Sequence, residues 1–251
     1  MAGPRTRTSW AQALALAGAL TACGGGAGLT EPPHSLPAHR SSPASAEALV
    51  LRFRETGGLA GKGGPGALPD LSLYSTGRAV AASQGKATEY RLRPEALRKL
   101  LRDARAAGLG RSHTVGSDQI ADAVVLEFTM DGARTRIVQP EAQNDPAVAF
   151  RKRLDPRAWA PADQAAPAKP YAPGQVAVLA GRVADEGKAR TWPLAPLGKG
   201  PQVAGGTCTL APAAEVPSTA PGTRWRSGGG TYSVALRPLL PDEKSCPDIV
   251  R

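Results

Sequence analysis

Histidine is scarce in this sequence, and its scarcity limits the chemistry that the chain can perform. There are only 3 histidines in 251 residues, and His34 and His39 fall in a stretch rich in proline and serine. His113 is therefore the only candidate base for a serine hydrolase, and no G-x-S-x-G motif is present. The residues near it in sequence that could complete a triad are Ser112, Ser117, Asp118 and Asp122. A triad built from one loop is geometrically unfavourable, so we predict no catalytic residue.

Metal and cofactor motifs are also missing. Neither an H-E-x-x-H nor an EF-hand pattern occurs, and His113, Asp118 and Asp122 alone make a weak ligand set. The glycine-rich run at residues 57–63 has Thr56 where a phosphate-binding loop needs its first glycine. We therefore predict no metal and no cofactor.

The sequence also has no apolar run long enough to cross a membrane, and the longest run that it does have lies near the N-terminus. Residues 10–20 (WAQALALAGAL) are too few to span a bilayer, which takes roughly 20 apolar residues, but they suit the core of a signal peptide behind Arg5 and Arg7. The run ends in Leu20-Thr21-Ala22-Cys23, which resembles the lipobox of bacterial lipoproteins. That resemblance implies cleavage between Ala22 and Cys23 and a lipid on the Cys23 sulfur.

The predicted location is therefore the outer, extracytoplasmic face of the cell membrane. Residues 1–22 are predicted to be a signal peptide. Residues 23–46 are rich in Gly, Pro, Ser and Ala and are predicted to be a flexible tether, because such a composition cannot bury enough apolar surface to offset its ordering entropy. The membrane is thus a predicted partner, through the anchor at Cys23.

Only 3 cysteines occur, so a lipid on Cys23 leaves Cys208 and Cys246 as a pair. In an oxidising compartment a single pair favours a disulfide. The alternatives are two free thiols or half of a metal site, although no C-x-x-C is present and no histidine lies near either cysteine in sequence.

The formal charge is +10 at pH 7, and it falls to +8 when Arg5 and Arg7 leave with the signal peptide. A basic exported protein can associate with anionic lipid headgroups or anionic wall polymers. The other interpretation is a solvated basic surface, which the scattered positions of the basic residues favour. Nucleic acid is not a predicted partner, because a chain anchored on the outer face of the membrane does not meet it.

The pattern of apolar residues predicts an α+β fold with an antiparallel sheet and two helices over residues 47–158. Alternation at residues 49–54 predicts a half-buried strand, with Arg52 and Arg54 on its outer face. Asp131-Gly132 predicts a hairpin. Helices are predicted from Pro94 to Gly108, where leucines repeat at helical spacing, and after the cap at Asn144-Asp145-Pro146.

The second part of the chain is predicted to be smaller, loop-rich and mostly β. A Pro/Ala-rich linker is predicted over 159–174, and the β region over 175–251, with a hairpin at residues 224–237. The tryptophans are predicted to be packed in the core rather than exposed as ligand platforms. The carboxylates Glu89, Glu95, Glu127 and Glu141 are predicted to be exposed.

The lipobox and several short segments together resemble a group of secreted lipoproteins from high-GC Gram-positive bacteria. The segments are residues 105–109, Trp192-Pro193-Leu194, residues 225–229 and residues 237–241. The similarity covers most of residues 47–251, and no activity is known to us for that group. The resemblance implies the extracytoplasmic location and the extent of the folded region, and it adds no mechanism.

Two hypotheses for function follow. The first is a non-catalytic surface lipoprotein that binds an envelope component, such as an anionic polymer, or an envelope protein. The second is an envelope-acting hydrolase whose carboxylates cannot be paired from sequence, because their separation in space defines them.

Overall fold

The computed structural model describes residues 47–58, 61–64, 66–117, 119–185 and 187–250. These residues belong to one compact unit, Ser45–Arg251. The predicted signal peptide and tether, with Ala22 and Cys23, lie outside the described residues.

Eight strands form the first sheet, in the order β5-β7-β6-β1-β2-β3-β4-β8. Neighbouring strands are antiparallel except β5 and β7, which are parallel. The strands are β1 (Leu49–Thr56), β2 (Leu71–Tyr74), β3 (Arg78–Ser83), β4 (Lys86–Leu92), β5 (His113–Val115), β6 (Val125–Met130), β7 (Ala133–Val138) and β8 (Gln164–Pro170). The predicted turn at Asp131-Gly132 joins β6 to β7, and both residues have positive φ, 50° and 83°, as a two-residue hairpin turn requires.

Two helices cover one face of this sheet. The helix α1 (Pro94–Ala106) buries Leu97, Leu100 and Ala104, and α2 (Pro146–Phe150) continues as a 3-10 helix, Arg151–Leu154. Asp145 caps α2 by accepting a hydrogen bond from the Ala147 N–H at 2.9 Å. Apolar side chains of β1, β2, β6 and β7 meet both helices in one core, which accounts for most of the burial in this part of the chain.

Six strands form the second sheet, in the order β10-β13-β14-β9-β12-β11, antiparallel except for β10 and β13. They are β9 (Gln175–Val183), β10 (Arg190–Thr191), β11 (Gln202–Val203), β12 (Gly206–Pro212), β13 (Arg224–Ser227) and β14 (Gly230–Pro238). Trp192 and Trp225 are buried against each other, with ring centroids 5.1 Å apart. Their predicted place in the core is confirmed, as is the α+β class with largely antiparallel sheets.

The predicted linker at 159–174 is wrong over its central part. Gln164–Pro170 form the edge strand β8, which pairs with β4. Proline lacks a backbone donor and is tolerated only where a strand has no second neighbour. Pro167 and Pro170 therefore fit this edge, while their presence made the segment look like a loop.

The C-terminal segment, residues 239–250, connects the two sheets. Leu240 packs with Tyr74 and Val80 on the second face of the first sheet. Cys246 is bonded to Cys208 of β12, so the predicted disulfide is confirmed.

Two buried ion pairs also hold the C-terminal segment. The Arg237 guanidinium donates to both carboxylate oxygens of Glu243, and each residue is 4 % exposed. Arg52 donates to both oxygens of Asp242 at 2.9 Å. Arg52 is consequently buried at 8 % exposure, and its predicted place on a solvated face is wrong because a distant segment covers that position.

Candidate functional site

The second face of β1, β6 and β7 carries a cluster of arginines beside the part that the C-terminal segment covers. Arg52 pairs across the sheet with Thr129, and Arg54 pairs with Glu127. On the other side of β6, Thr129 pairs with Arg134 and Glu127 with Arg136. Because residues two apart share a face of a strand, all six side chains lie on one face. We call Arg52, Arg54, Arg134 and Arg136, with Glu127 and Thr129 between them, the arginine face.

The arginine face has more positive than negative charge. Glu127 is the carboxylate among these six residues, and its Oε1 lies 3.7 Å from Arg136 Nε. Arg52 is already paired with Asp242. Burial is the main reason that the pKa of Arg54 is lowered, and the nearby charges of Arg52 and Arg237 lower it further, against the opposing effect of Glu127. A lowered pKa means that the surroundings disfavour the cation.

The geometry of this face suits an anion with several acceptor oxygens. Its side chains border a hollow of about 290 Å³, which Val250 also lines. From strand geometry, arginines on one strand stand about 7 Å apart, and those on β1 and β7 stand about 10 Å apart. A guanidinium presents five N–H donors in a planar fork that matches a phosphate or carboxylate.

A cleft of about 570 Å³ lies on the opposite face of β1. Lys62 Nζ lies 3.2 Å from Glu55 Oε1 and 3.0 Å from Asp70 Oδ1, and Arg151 Nη1 lies 3.0 Å from Glu55 Oε2. Burial opposes the charge of Lys62, but hydrogen bonds and attraction from Asp70 and Glu55 outweigh it and raise the pKa of Lys62. The two carboxylates thus flank one ammonium.

A pair of glycosidase carboxylates needs one protonated member at the working pH. Glu55 and Asp70 instead share Lys62 as an ion-pair partner. The cleft is better suited to hydrogen bonding than to acid catalysis.

His113, the one candidate base in the folded part of the sequence, lies at the start of β5. Its Nε2 lies 3.4 Å from Asp145 Oδ2, and its Nδ1 lies 3.3 Å from the Thr135 hydroxyl. Thr135 is buried at 1 % exposure, so no substrate reaches that hydroxyl. Ser112 accepts the Arg134 N–H at 2.9 Å, and Asp118 lies outside the described residues. The structure therefore ties His113 into the edge of the sheet.

The predicted exposure of Glu89 is wrong. Glu89 is 7 % exposed on β4, where it pairs with Arg78 at 2.7 Å and with Lys169 of β8 at 3.3 Å. Its burial follows from β8, the strand that was taken for linker.

Neither a metal-binding cluster nor a membrane-spanning helix is found among the described residues. Within the described part of the chain, no group of three or more His, Cys, Asp or Glu side chains is placed to hold a metal ion. None of the described helices has both the length and the apolar character needed to cross a membrane.

Comparison with protein-family models, with curated proteins and with solved structures finds no match to this chain. Any functional inference therefore depends on the residues themselves.

The sequence contains a pattern that indicates the arginine face. Arg52 and Arg54 alternate on one predicted strand, and Arg134 and Arg136 alternate on another, so each pair had to share a face. The sequence alone does not predict the strand order, in which β6 lies between β1 and β7. The basic residues consequently looked scattered.

Proposed function

We propose that this chain is a lipid-anchored, non-catalytic protein of the outer face of a bacterial membrane, and that its arginine face binds an anionic polymer of the envelope. The anchor rests on the signal-peptide pattern and on the lipobox that ends at Cys23. The binding rests on one observation. Arg54, Arg134 and Arg136 lie around Glu127 on one sheet face, beside Arg52, whose charge Asp242 already balances.

The predicted tether supports the same arrangement. A flexible chain of 24 residues has an average end-to-end distance of about 27 Å. A domain held at that range from the membrane meets the polymers nearest to the bilayer surface.

A polymer fits this face better than the membrane surface itself does. Proteins that lie in a bilayer interface insert apolar side chains between the headgroups. Among the described residues, the exposed large apolar side chains are Ile120 and Val250, and only Val250 borders the arginine face. Arginines whose backbones stand about 7 and 10 Å apart instead suit repeated phosphates or carboxylates along a chain.

The alternative, an envelope-acting hydrolase, has less support. Its best carboxylates, Glu55 and Asp70, share Lys62 as a counter-ion. A catalytic acid with a raised pKa would need a less polar or more acidic environment.

The test is a binding titration of residues 45–251 against inorganic polyphosphate at several salt concentrations between about 0.05 and 0.5 M. The triple variant Arg54→Gln, Arg134→Gln and Arg136→Gln should bind at least about tenfold more weakly at low salt. Its plot of log affinity against log salt should be shallower by about three, one unit for each lost phosphate contact.

A matched control separates the face from net charge. Arg102, Arg111 and Lys199 are exposed on other parts of the surface, and changing all three to Gln removes the same three charges. Equal weakening in both triple variants would refute a specific face. Stronger binding to anionic vesicles than to the polymer would point to the membrane surface instead.

A further inference from the structure

We propose that the cleft on the other face of β1 is a second binding site, and that it takes a neutral oligosaccharide. The proposal uses different residues from the arginine face and does not depend on it. It rests on the shape of the cleft, its aromatic side chains and its paired charges.

A second hollow lies beside the cleft. The first, of about 570 Å³, is lined by Tyr90 and Lys152 among others, and the second, of about 330 Å³, by Trp159 and again by Lys152. The Tyr90 and Trp159 rings touch edge to face, with centroids 6.0 Å apart. The two hollows share Lys152, and each has one ring of this touching pair in its lining, so we infer that they form one groove. We call this the β1–α2 groove.

The aromatic pair is held in place. The Trp159 indole N–H donates to the Arg153 carbonyl at 2.9 Å, and both rings are half-buried against the core of the first sheet. A fixed ring offers an apolar face at low entropic cost. The C–H face of a pyranose is a suitable partner for such a ring.

Most of the charged groups of the groove are paired with one another. Glu55 and Asp70 are paired with Lys62, Glu55 also with Arg151, and the Arg157 guanidinium with Asp155. Each carboxylate oxygen keeps a free lone pair, and each cation keeps N–H groups beyond those used. A ligand that both donates and accepts at many positions satisfies such a surface without adding charge, and the hydroxyls of a neutral sugar do both.

Lys152 adds one donor at the junction. It is exposed, lines both hollows and has no carboxylate partner among the described residues. Its ammonium is therefore available to sugar oxygens from either hollow.

The test is a fluorescence titration of residues 45–251 with three neutral probes: chitotetraose, cellotetraose and maltotetraose. Of the tryptophans in these residues, Trp192 and Trp225 are buried in the second sheet, so a ligand in the groove should change the emission of Trp159. We expect a saturable change with at least one probe, and the variant Trp159→Phe should lose it.

Calorimetry with the same probe then identifies the contacts. Tyr90→Ala and Lys152→Ala should each weaken binding by about tenfold or more, Tyr90→Phe by less, and the exposed control Lys199→Ala not at all. Lys152 has no folding role in the structure, so its variant remains informative if Tyr90→Ala does not fold. Affinity should change less than about twofold between roughly 0.05 and 0.5 M salt, because the ligand carries no charge.

Three results would overturn the proposal. They are the absence of saturable binding for all three probes, wild-type affinity in Lys152→Ala together with Tyr90→Ala, and binding that salt abolishes. The arginine-face triple variant should bind the sugar as wild type does, so failure of one site is distinguishable from failure of the other.

Discussion

The buried pair of Arg237 and Glu243 gives the sharpest test of how the fold is held together. Arg237 also donates to the carbonyls of Gly66 at 3.0 Å and Pro238 at 3.1 Å, and Glu243 accepts the Leu240 N–H at 2.8 Å. Glu243 thus joins the end of β14 to the C-terminal segment. Replacing it by Gln leaves a guanidinium in a buried position without its counter-charge.

The expected cost of Glu243→Gln is about 3–5 kcal/mol of unfolding free energy. That is a large share of the 5–15 kcal/mol that a typical domain has. Urea unfolding of residues 45–251, followed by circular dichroism, measures it as a lower midpoint at constant slope. A loss under about 1 kcal/mol at unchanged slope would refute the idea that this pair is dry and structurally important.

Two further variants control for charge and for packing. Asp131→Asn removes a carboxylate from an exposed pair with Arg105 and should cost about 0.5 kcal/mol or less. The double variant Arg237→Met and Glu243→Leu removes both charges at once, so it should lose less stability than Glu243→Gln alone.

Other predictions concern covalent links and pH. Removing the Cys208–Cys246 disulfide, whose ends are 38 residues apart in sequence, should cost about 4 kcal/mol by chain entropy and lower Tm by about 10 °C; a calorimetric shift below about 3 °C would contradict this. Burial raises the pKa of Glu89, but Arg78 and Lys169 outweigh it, and the folded-state pKa falls below 4.5. The ionised Glu89 therefore stabilises the fold above pH 4.5, and this stabilisation is lost as the pH falls through the folded-state pKa. Glu89→Gln should consequently flatten acid unfolding between about pH 5 and pH 3. Cys23→Ala should abolish incorporation of labelled fatty acid into the full-length chain, and persistent labelling would refute the anchor.

Features with local signals were predictable from the sequence. The β6–β7 turn follows from Asp131-Gly132, and α1 follows from a proline start and leucines at helical spacing. The disulfide followed from counting cysteines once Cys23 was assigned to the lipid. Each of these depends on residues that are close together in the chain or few in number.

Features that depend on distant segments were not predictable. Arg52 has the alternation of an outward-facing residue, and only the C-terminal segment, through Asp242, makes it a buried one. Glu89 is buried because β8 lies beside β4, and β8 was hidden by its prolines. In both cases a tertiary contact overrides a local pattern that was itself correctly identified.

The alternation of β1 explains why the two proposed sites do not compete. Arg52 and Arg54 point to one face of the strand, while Phe53 and Glu55 point to the other. A polyanion on the first face and a sugar on the second would approach from opposite sides of the sheet. Since the sheet backbone separates them, screening by salt acts on the arginine face and leaves the binding of a neutral ligand in the groove nearly unaffected. A single protein domain held on a tether would in this way present two chemically different surfaces to the envelope around it.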